Sequence, residues 1–447
     1  MDNYLAVFLG LLLLGSVTKA SECNTVANLT GKPNQHPIDT SNPVFIRRVP
    51  NGELYSVGTK PADFIYLLHL YGNNGYDFGY AHGLLLADEI NTTLTNAWAY
   101  FELEILKSIN STVNKYRLPP WFVQDIINLG LDIALDNQND LSTPFIDPEI
   151  FAELRGMADA TGIDYKFIRR IHYMGEVTKG QCSLYGAWGK ATRHEHTIML
   201  RAFDWDTGAQ IQDNPTVTFY HPLSPGSAGS IVPFVNVAWA GFIGVLTGFN
   251  SNKLGIADIG ISFPNYPPYF GDESFTGVPF VFLLKSIISK STTLAQMESV
   301  ILTANRTCHL LIGLTNATTG RMVQYSHSLV RIFDDTTLEP NCSWHPRIPN
   351  IVYEGFDWEC PFYQHAMFQQ LSYHYSNLTA ENTILNVTSL VRTGNLHIAI
   401  TDFTDSLMYV ANHAPQDDKT SPYQKAFDRQ FVRFNLTSAY NKVWGQP

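Results

Sequence analysis

The hydrophobic period of this chain first turns from helical to strand-like near residue 182, and that change limits the folds open to it. Upstream, apolar residues recur at helical spacing from Tyr80 to about Lys107, over 120–136 and over 147–160, with Pro119-Pro120 and Asp147-Pro148 marking breaks. Thr161-Gly162-Ile163-Asp164 ends one helix and caps the next, which runs to about Tyr173. Residues 21–60, rich in Asn, Pro and Thr, read as an extended arm. Downstream, short β-rich runs occupy 183–188, 196–203, 216–221, 230–238, 242–248 and 254–262, separated by Gly, Pro, Asn and Asp. Helical patterns at 278–290 and 293–303 follow, then strands at 309–314 and 321–326 and a loop-rich insert at about 333–360. Helical stretches near 362–373 and 379–391 precede closing strands at 396–402, 406–412 and 430–435. This order suits an α/β layered sandwich preceded by a helical N-terminal segment.

The change of period falls on Gly180-Gln181-Cys182-Ser183, and Leu200-Arg201-Ala202-Phe203-Asp204-Trp205 follows on the next predicted strand. A thiol attacks only as thiolate and needs a base within hydrogen-bond reach. If the chain cuts itself between Gln181 and Cys182, the freed α-amine can be that base, since such amines titrate near 7.7–8.0. Arg201 and Asp204 on the neighbouring strand could hold the amine and thiol. Their i, i+3 spacing puts them on opposite faces of a regular strand, so a bulge or a strand end is needed. The plain alternatives are a buried structural cysteine and a strand-end ion pair.

Cys-Ser, a hairpin, then Arg-x-x-Asp-Trp resembles the start of the catalytic chain in cysteine Ntn hydrolases, which include bile-salt hydrolases, acid ceramidase and the isopenicillin-N acyltransferase (penicillin acyltransferase-like) family. Tyr80-Ala81-His82-Gly83, the stretch Glu149–Ala158 with its Glu-Leu-Arg-Gly-Met-Ala end, Gly248-Phe249-Asn250 and Leu254-Gly255-Ile256-Ala257 resemble segments of that last family. The resemblance runs from about residue 75 to about 415. It implies a four-layer αββα sandwich, self-cleavage into chains 21–181 and 182–447 that stay associated, an aspartate binding the nucleophile's amine, and an arginine lining the pocket. Oxyanion or substrate contacts would fall on Ser262, Asn265 and Asn250. The match falters at the first, where bile-salt hydrolases carry a catalytic Asn and this chain has Ser262, with Asn265 three residues on. Gln181 also departs from the glycine often found before the nucleophile, which implies slower or acid-dependent processing.

Trp188, Phe203, Trp205 and the run Phe263-Pro264-Asn265-Tyr266-Pro267-Pro268-Tyr269-Phe270 could wall an acyl pocket or simply fill the core. His194-Glu195-His196 reads as an exposed turn, with no further ligands in sequence to make a metal site. No Gly-x-Ser-x-Gly elbow and no phosphate-binding loop appears, and nothing calls for a cofactor.

Residues 4–17 form an apolar run too short to span a bilayer, and Thr18-Lys19-Ala20 supplies small residues for cleavage, so 1–20 reads as a signal peptide. No later window reaches membrane-spanning length. Nine Asn-x-Ser/Thr sequons, at Asn28, Asn91, Asn110, Asn305, Asn316, Asn341, Asn377, Asn386 and Asn435, fit a secreted or lysosomal glycoprotein. Of five cysteines (Cys23, Cys182, Cys308, Cys342, Cys360), an odd count leaves one thiol free in an oxidising compartment; Cys342–Cys360 is the expected bridge. A net charge of −11 without basic runs argues against nucleic acid as a partner.

The expected protein is therefore a self-processed cysteine amidohydrolase or acyltransferase acting on a small acyl amide, with N-acyl lipids suggested by the resemblance. A phospholipase-B-like ester hydrolase and a silent glycoprotein scaffold of the same fold are the alternatives.

Overall fold

The computed structural model describes residues 31–445 other than 60–62, 111–119, 179, 225–230, 262–270, 342–344, 356–360 and 419. Three strands come first: β1 (Val44–Val49), β2 (Gly52–Val57) and β3 (Ile65–Gly72). This corrects the expectation of an extended arm, because 44–57 is a β-hairpin that pairs onward with β3. Every residue of β2 and nearly every residue of β3 is buried, and a strand covered on both faces shows no polar alternation to announce it.

Helices α1 (Gly75–Asn110), α2 (Pro120–Leu129), α3 (Leu131–Ser142), α4 (Pro148–Thr161) and α5 (Tyr165–Val177) follow. The helix expected over 120–136 is two, broken at Gly130, whose φ of 94° is left-handed. Asp147 and Asp164 cap α4 and α5, accepting from the Glu149 and Phe167 N–H groups, and Gly162 closes α4 at φ 73°. The Glu149–Ala158 motif serves packing. A Cβ at Gly156 would lie 2.3 Å from the Tyr76 carbonyl oxygen, so glycine lets α4 cross α1 at backbone contact.

The second half supplies β4 (Gln181–Ala187), β5 (Ile198–Asp204), β6 (Pro215–Pro222), β7 (Phe234–Trp239), β8 (Thr247–Asn250) and β9 (Gly255–Gly260), then helices α6 (Phe280–Lys290) and α7 (Leu294–Thr303). Strands β10 (Leu310–Thr315), β11 (Gly320–Tyr325), β12 (Val330–Phe333) and β13 (Ile351–Glu354) lead to helix α8 (Pro361–Tyr373) and a helical run over 380–391 whose middle, Thr383–Thr388, is π-helical. Strands β14 (His397–Asp402), β15 (Leu407–Asn412) and β16 (Val432–Asn435) close the fold. The loop-rich insert expected over 333–360 thus contains β13.

Two sheets result. One has ten strands in the order β1-β2-β3-β6-β7-β8-β9-β10-β11-β12, and the other six in the order β13-β4-β5-β14-β15-β16. They face each other: Leu184 and Met199 of the small sheet reach Gly313 of the large one. Helices cover the outer faces. Phe78 of α1 packs edge-on against Tyr220 of the large sheet, and Asn250 of β8 donates to the Ile288 carbonyl of α6. On the small sheet, Tyr185 hydrogen-bonds Thr383, and the Tyr409 hydroxyl donates to Glu381 at 2.6 Å. The molecule is the expected four-layer αββα sandwich. Sheet order also joins its halves, since β3 pairs in parallel with β6 across the Gln181–Cys182 bond.

Among the described residues no helix is long and apolar enough to cross a membrane. The expected signal peptide, Asn28, Cys23 and both cysteines of the expected Cys342–Cys360 bridge lie outside the described residues. The sequon asparagines with described side chains, Asn91, Asn305, Asn316, Asn341, Asn377, Asn386 and Asn435, are exposed or half-buried.

Candidate active site

Cys182 lies at the N-terminal end of β4, opposite Phe203 of β5. Directly opposed residues of an antiparallel pair share a face, so Cys182, Phe203 and Arg201 all point into the space between the sheets. Pairing of β13 with β4 ends at Leu184, so the described strands flank residues 181–183 on one side only. Cys182 is a free thiol, 1% exposed.

Arg201 has no exposed surface and folds back over the Phe203 ring, its Cζ 4.1 Å from the centroid. Its Nη2 lies 3.5 Å from Oδ1 of Asp258 on β9, in the facing sheet. The pairing is loose: Arg201 Nε and Nη2 and Asp258 Oδ1 lack aligned hydrogen-bond partners. Buried polar atoms left so mark a place where a ligand or water oxygen belongs.

Asp204, the last residue of β5, points to the opposite face, as the i, i+3 spacing requires. Its Oδ2 accepts from the Thr393 hydroxyl at 2.9 Å and the Gly394 N–H at 2.8 Å, and its Oδ1 from the Asn395 N–H at 2.8 Å. Thr393 in turn sits 2.7 Å from the Ser183 hydroxyl, which gives the serine after the cysteine a role. Asn395 braces the strand end from both sides, bonding the N–H and C=O of Trp205 at 2.9 Å each.

Burial dominates the electrostatics. It pushes the Cys182 thiol from 9.0 up to about 12, against the pull of Arg201, while Asp258 and Asp204 push the same way as burial. It raises Asp204 to about 6 despite its N–H donors, and Asp258 to about 6 despite Arg201. The intact chain therefore keeps its thiol protonated.

An apolar cavity of about 40 Å³ opens beside the thiol. Phe203, Trp205, Trp239, Phe242, Phe280 and Met174 form much of its wall, and Cys182, Asp258 and Thr178 are among its polar points. Trp188 packs over Gly320 of β11 instead. Asn250 is spent elsewhere: it donates to the Ile288 and Ser291 carbonyls and accepts from the Asn252 and Leu254 N–H groups, which ties the β8–β9 turn to α6. Ser262, Asn265 and the rest of 263–270 lie outside the described residues. His194 and Glu195 form a strained turn, each at φ 59°, and His196 Nδ1 bonds Asp402 at 2.8 Å with Asp405 at 3.9 Å.

Asp258 lies outside the pattern that links Cys182, Arg201 and Asp204, although a lone carboxylate inside the fully buried run Gly255–Gly260 is itself a signal. No local pattern connects the Thr393–Asn395 turn or His397 to Cys182.

The fold and site define a two-sheet αββα protein in which a buried cysteine and a buried aspartate line an apolar cavity, with a buried arginine against that aspartate and a second carboxylate on the far face of the strand. No family model matches the sequence. Protein dcd1A of Dictyostelium discoideum is 34% identical over 452 residues, covering 96% of this chain and 98% of that protein. Protein dcd1B of the same organism is 32% identical over 420 residues, covering 91% and 81%. The chain belongs to the family of these two proteins. Among solved structures, a Caenorhabditis elegans N-acylethanolamine-hydrolyzing acid amidase ortholog is similar at TM-score 0.38 and 12% identity, over 57% of this chain and 100% of that one. Likeness at that level assigns no chemistry to this chain.

Proposed function

We propose that this chain is a cysteine amidohydrolase or acyltransferase of the N-terminal-nucleophile kind, activated by cutting itself between Gln181 and Cys182. The observation that carries this reading is the placement of Cys182 and Asp258 in the wall of an apolar cavity, with Arg201 against Asp258 and Asp204 anchored one residue past Phe203.

In self-cleavage the Cys182 sulfur attacks the Gln181 carbonyl carbon. The C–N bond breaks, leaving a thioester and a free α-amine on Cys182, and water then hydrolyses the thioester. The new amine takes the thiol proton, so a group too buried to ionise in the intact chain acquires its base. The thiolate attacks a substrate amide carbonyl, and the amine passes its proton to the leaving amine. Water, or an acceptor amine, then discharges the acyl-thioester. Arg201 faces the reacting sulfur as the fixed positive charge. An apolar wall with few polar points suits a fatty or aromatic acyl group, and N-acyl lipids are the substrate class we favour. The parallel β3–β6 pairing supports continued association of chains 21–181 and 182–447 after cleavage. An N-terminal signal peptide and surface sequons support a secreted or lysosomal glycoprotein, with the penicillin acyltransferase-like family as the relationship the motifs suggest.

Cys182→Ala should give one uncut chain with no hydrolysis of a fatty-acyl ethanolamide, where the parent gives two chains, the larger starting at Cys182. Turnover that survives in the variant refutes the assignment.

A further inference from the structure

We propose that His397 is the positioning residue that holds the Arg201 guanidinium beside Cys182, an inference that rests on reading Cys182 as the nucleophile. The register makes the case. Cys182 pairs with Phe203, and Phe203 pairs with His397, so three adjacent strands present these side chains in one row on the face between the sheets. Arg201 lies across the middle of that row, over the Phe203 ring. Its Nη1 points to His397 Nε2 at 3.4 Å, and the Thr247 hydroxyl from the facing sheet lies 3.3 Å from the same nitrogen.

A guanidinium has donors only, so Nε2 must offer its lone pair and the ring proton must sit on Nδ1. An imidazolium there would face Arg201 with a second positive charge and no acceptor. Burial, then Arg201, hold the His397 pKa well below its ordinary value. The ring is thus neutral and its lone pair committed, which rules it out as the proton shuttle for Cys182. Its importance comes from what Arg201 otherwise lacks. Nε and Nη2 have no aligned acceptor among the described residues, and the Asp258 contact is loose at 3.5 Å. The charged and titratable groups facing this cluster are Cys182 and Arg201 from the small sheet and Asp258 from the large one, with Asp204 on the far face of β5. Without His397, Nη1 loses its acceptor and only the loose Asp258 contact holds the guanidinium.

The test uses the full chain with His397→Leu, which removes the acceptor, and His397→Gln, whose Oε1 can replace Nε2. Carboxamidomethylation of Cys182 by iodoacetamide is followed by mass spectrometry from pH 5 to 10, with Cys182→Ala as the blank. His397→Leu should react about tenfold more slowly at neutral pH, with its profile displaced upward, and His397→Gln should return to within about threefold of the parent. Superposed profiles overturn the proposal, as does a folded His397→Gln no better than His397→Leu, or a parent thiol untouched at every pH. Should the leucine variant fail to fold, ¹⁵N-histidine spectra of the parent decide: an Nδ1–H ring that does not titrate between pH 5 and 8 supports the proposal, and an Nε2–H ring or a titration there refutes it. Hydrolysis of a fatty-acyl ethanolamide is read in parallel. A parent that hydrolyses nothing, yet shows the alkylation pattern, keeps the positioning role and loses the enzyme reading. A parent whose hydrolysis needs Cys182 but ignores His397→Leu does the reverse.

Discussion

Replacing Asp258 by asparagine should stabilise the uncut protein at neutral pH and leave it unchanged in acid. The carboxyl is buried between the sheets, and its pKa is raised from 3.8 to about 6, chiefly by desolvation, with the attraction of Arg201 already opposing that rise. An acid that holds its proton more tightly in the folded state is destabilised by ionisation. Its penalty is absent below pH 3.8, grows as pH rises, and is complete above pH 6. A displacement of about two pH units corresponds to about 3 kcal/mol. Across 447 residues that is about 3 °C in melting temperature. The comparison is Cys182→Ala against Cys182→Ala/Asp258→Asn, so that self-cleavage does not intrude, with thermal and urea unfolding at pH 4 and pH 7.5. The double variant should melt higher at pH 7.5 and coincide with the single one at pH 4. If asparagine destabilises at pH 7.5, the Arg201–Asp258 ion pair outweighs burial and the electrostatic account of the site is wrong.

Two further outcomes follow from the cavity. Gly180→Ala places a Cβ 2.9 Å from Phe203 Cε2 and 3.1 Å from Trp205 Cε3, two residues before the nucleophile, so self-cleavage should slow by about tenfold or more on a timed denaturing gel. Met174→Trp puts an indole into a cavity of about 40 Å³, and should lower kcat/KM for long acyl amides far more than for acetyl amides; equal losses would place the acyl chain elsewhere.

The Pro, Asp and Gly residues that bound the runs, as at Pro148, Asp164 and Gly162, located most of the elements, including β5, β9 and β14, which are buried at every residue. The strands β2 and β3 were not among them, nor was the break at Gly130 within 120–136. The same division runs through the site. Cys182, Arg201 and Asp204 were legible because one hairpin joins them, but Asp204, although it sits at the strand end, turns its carboxylate to Thr393–Asn395 and not to the thiol. Asp258, Thr393 and His397 come from strands and turns 76 to 215 residues beyond Cys182, counting from position 182 to positions 258 and 397. No local pattern carries such distances. What the sequence determined by itself was the hairpin that carries Cys182, Arg201 and Asp204, because those residues lie at short range on two paired strands. Only the tertiary structure decided which partners reach them, because strand pairing sets β14 beside β5, stacking of the two sheets sets β9 across from it, and burial shifts the protonation of the groups they contribute.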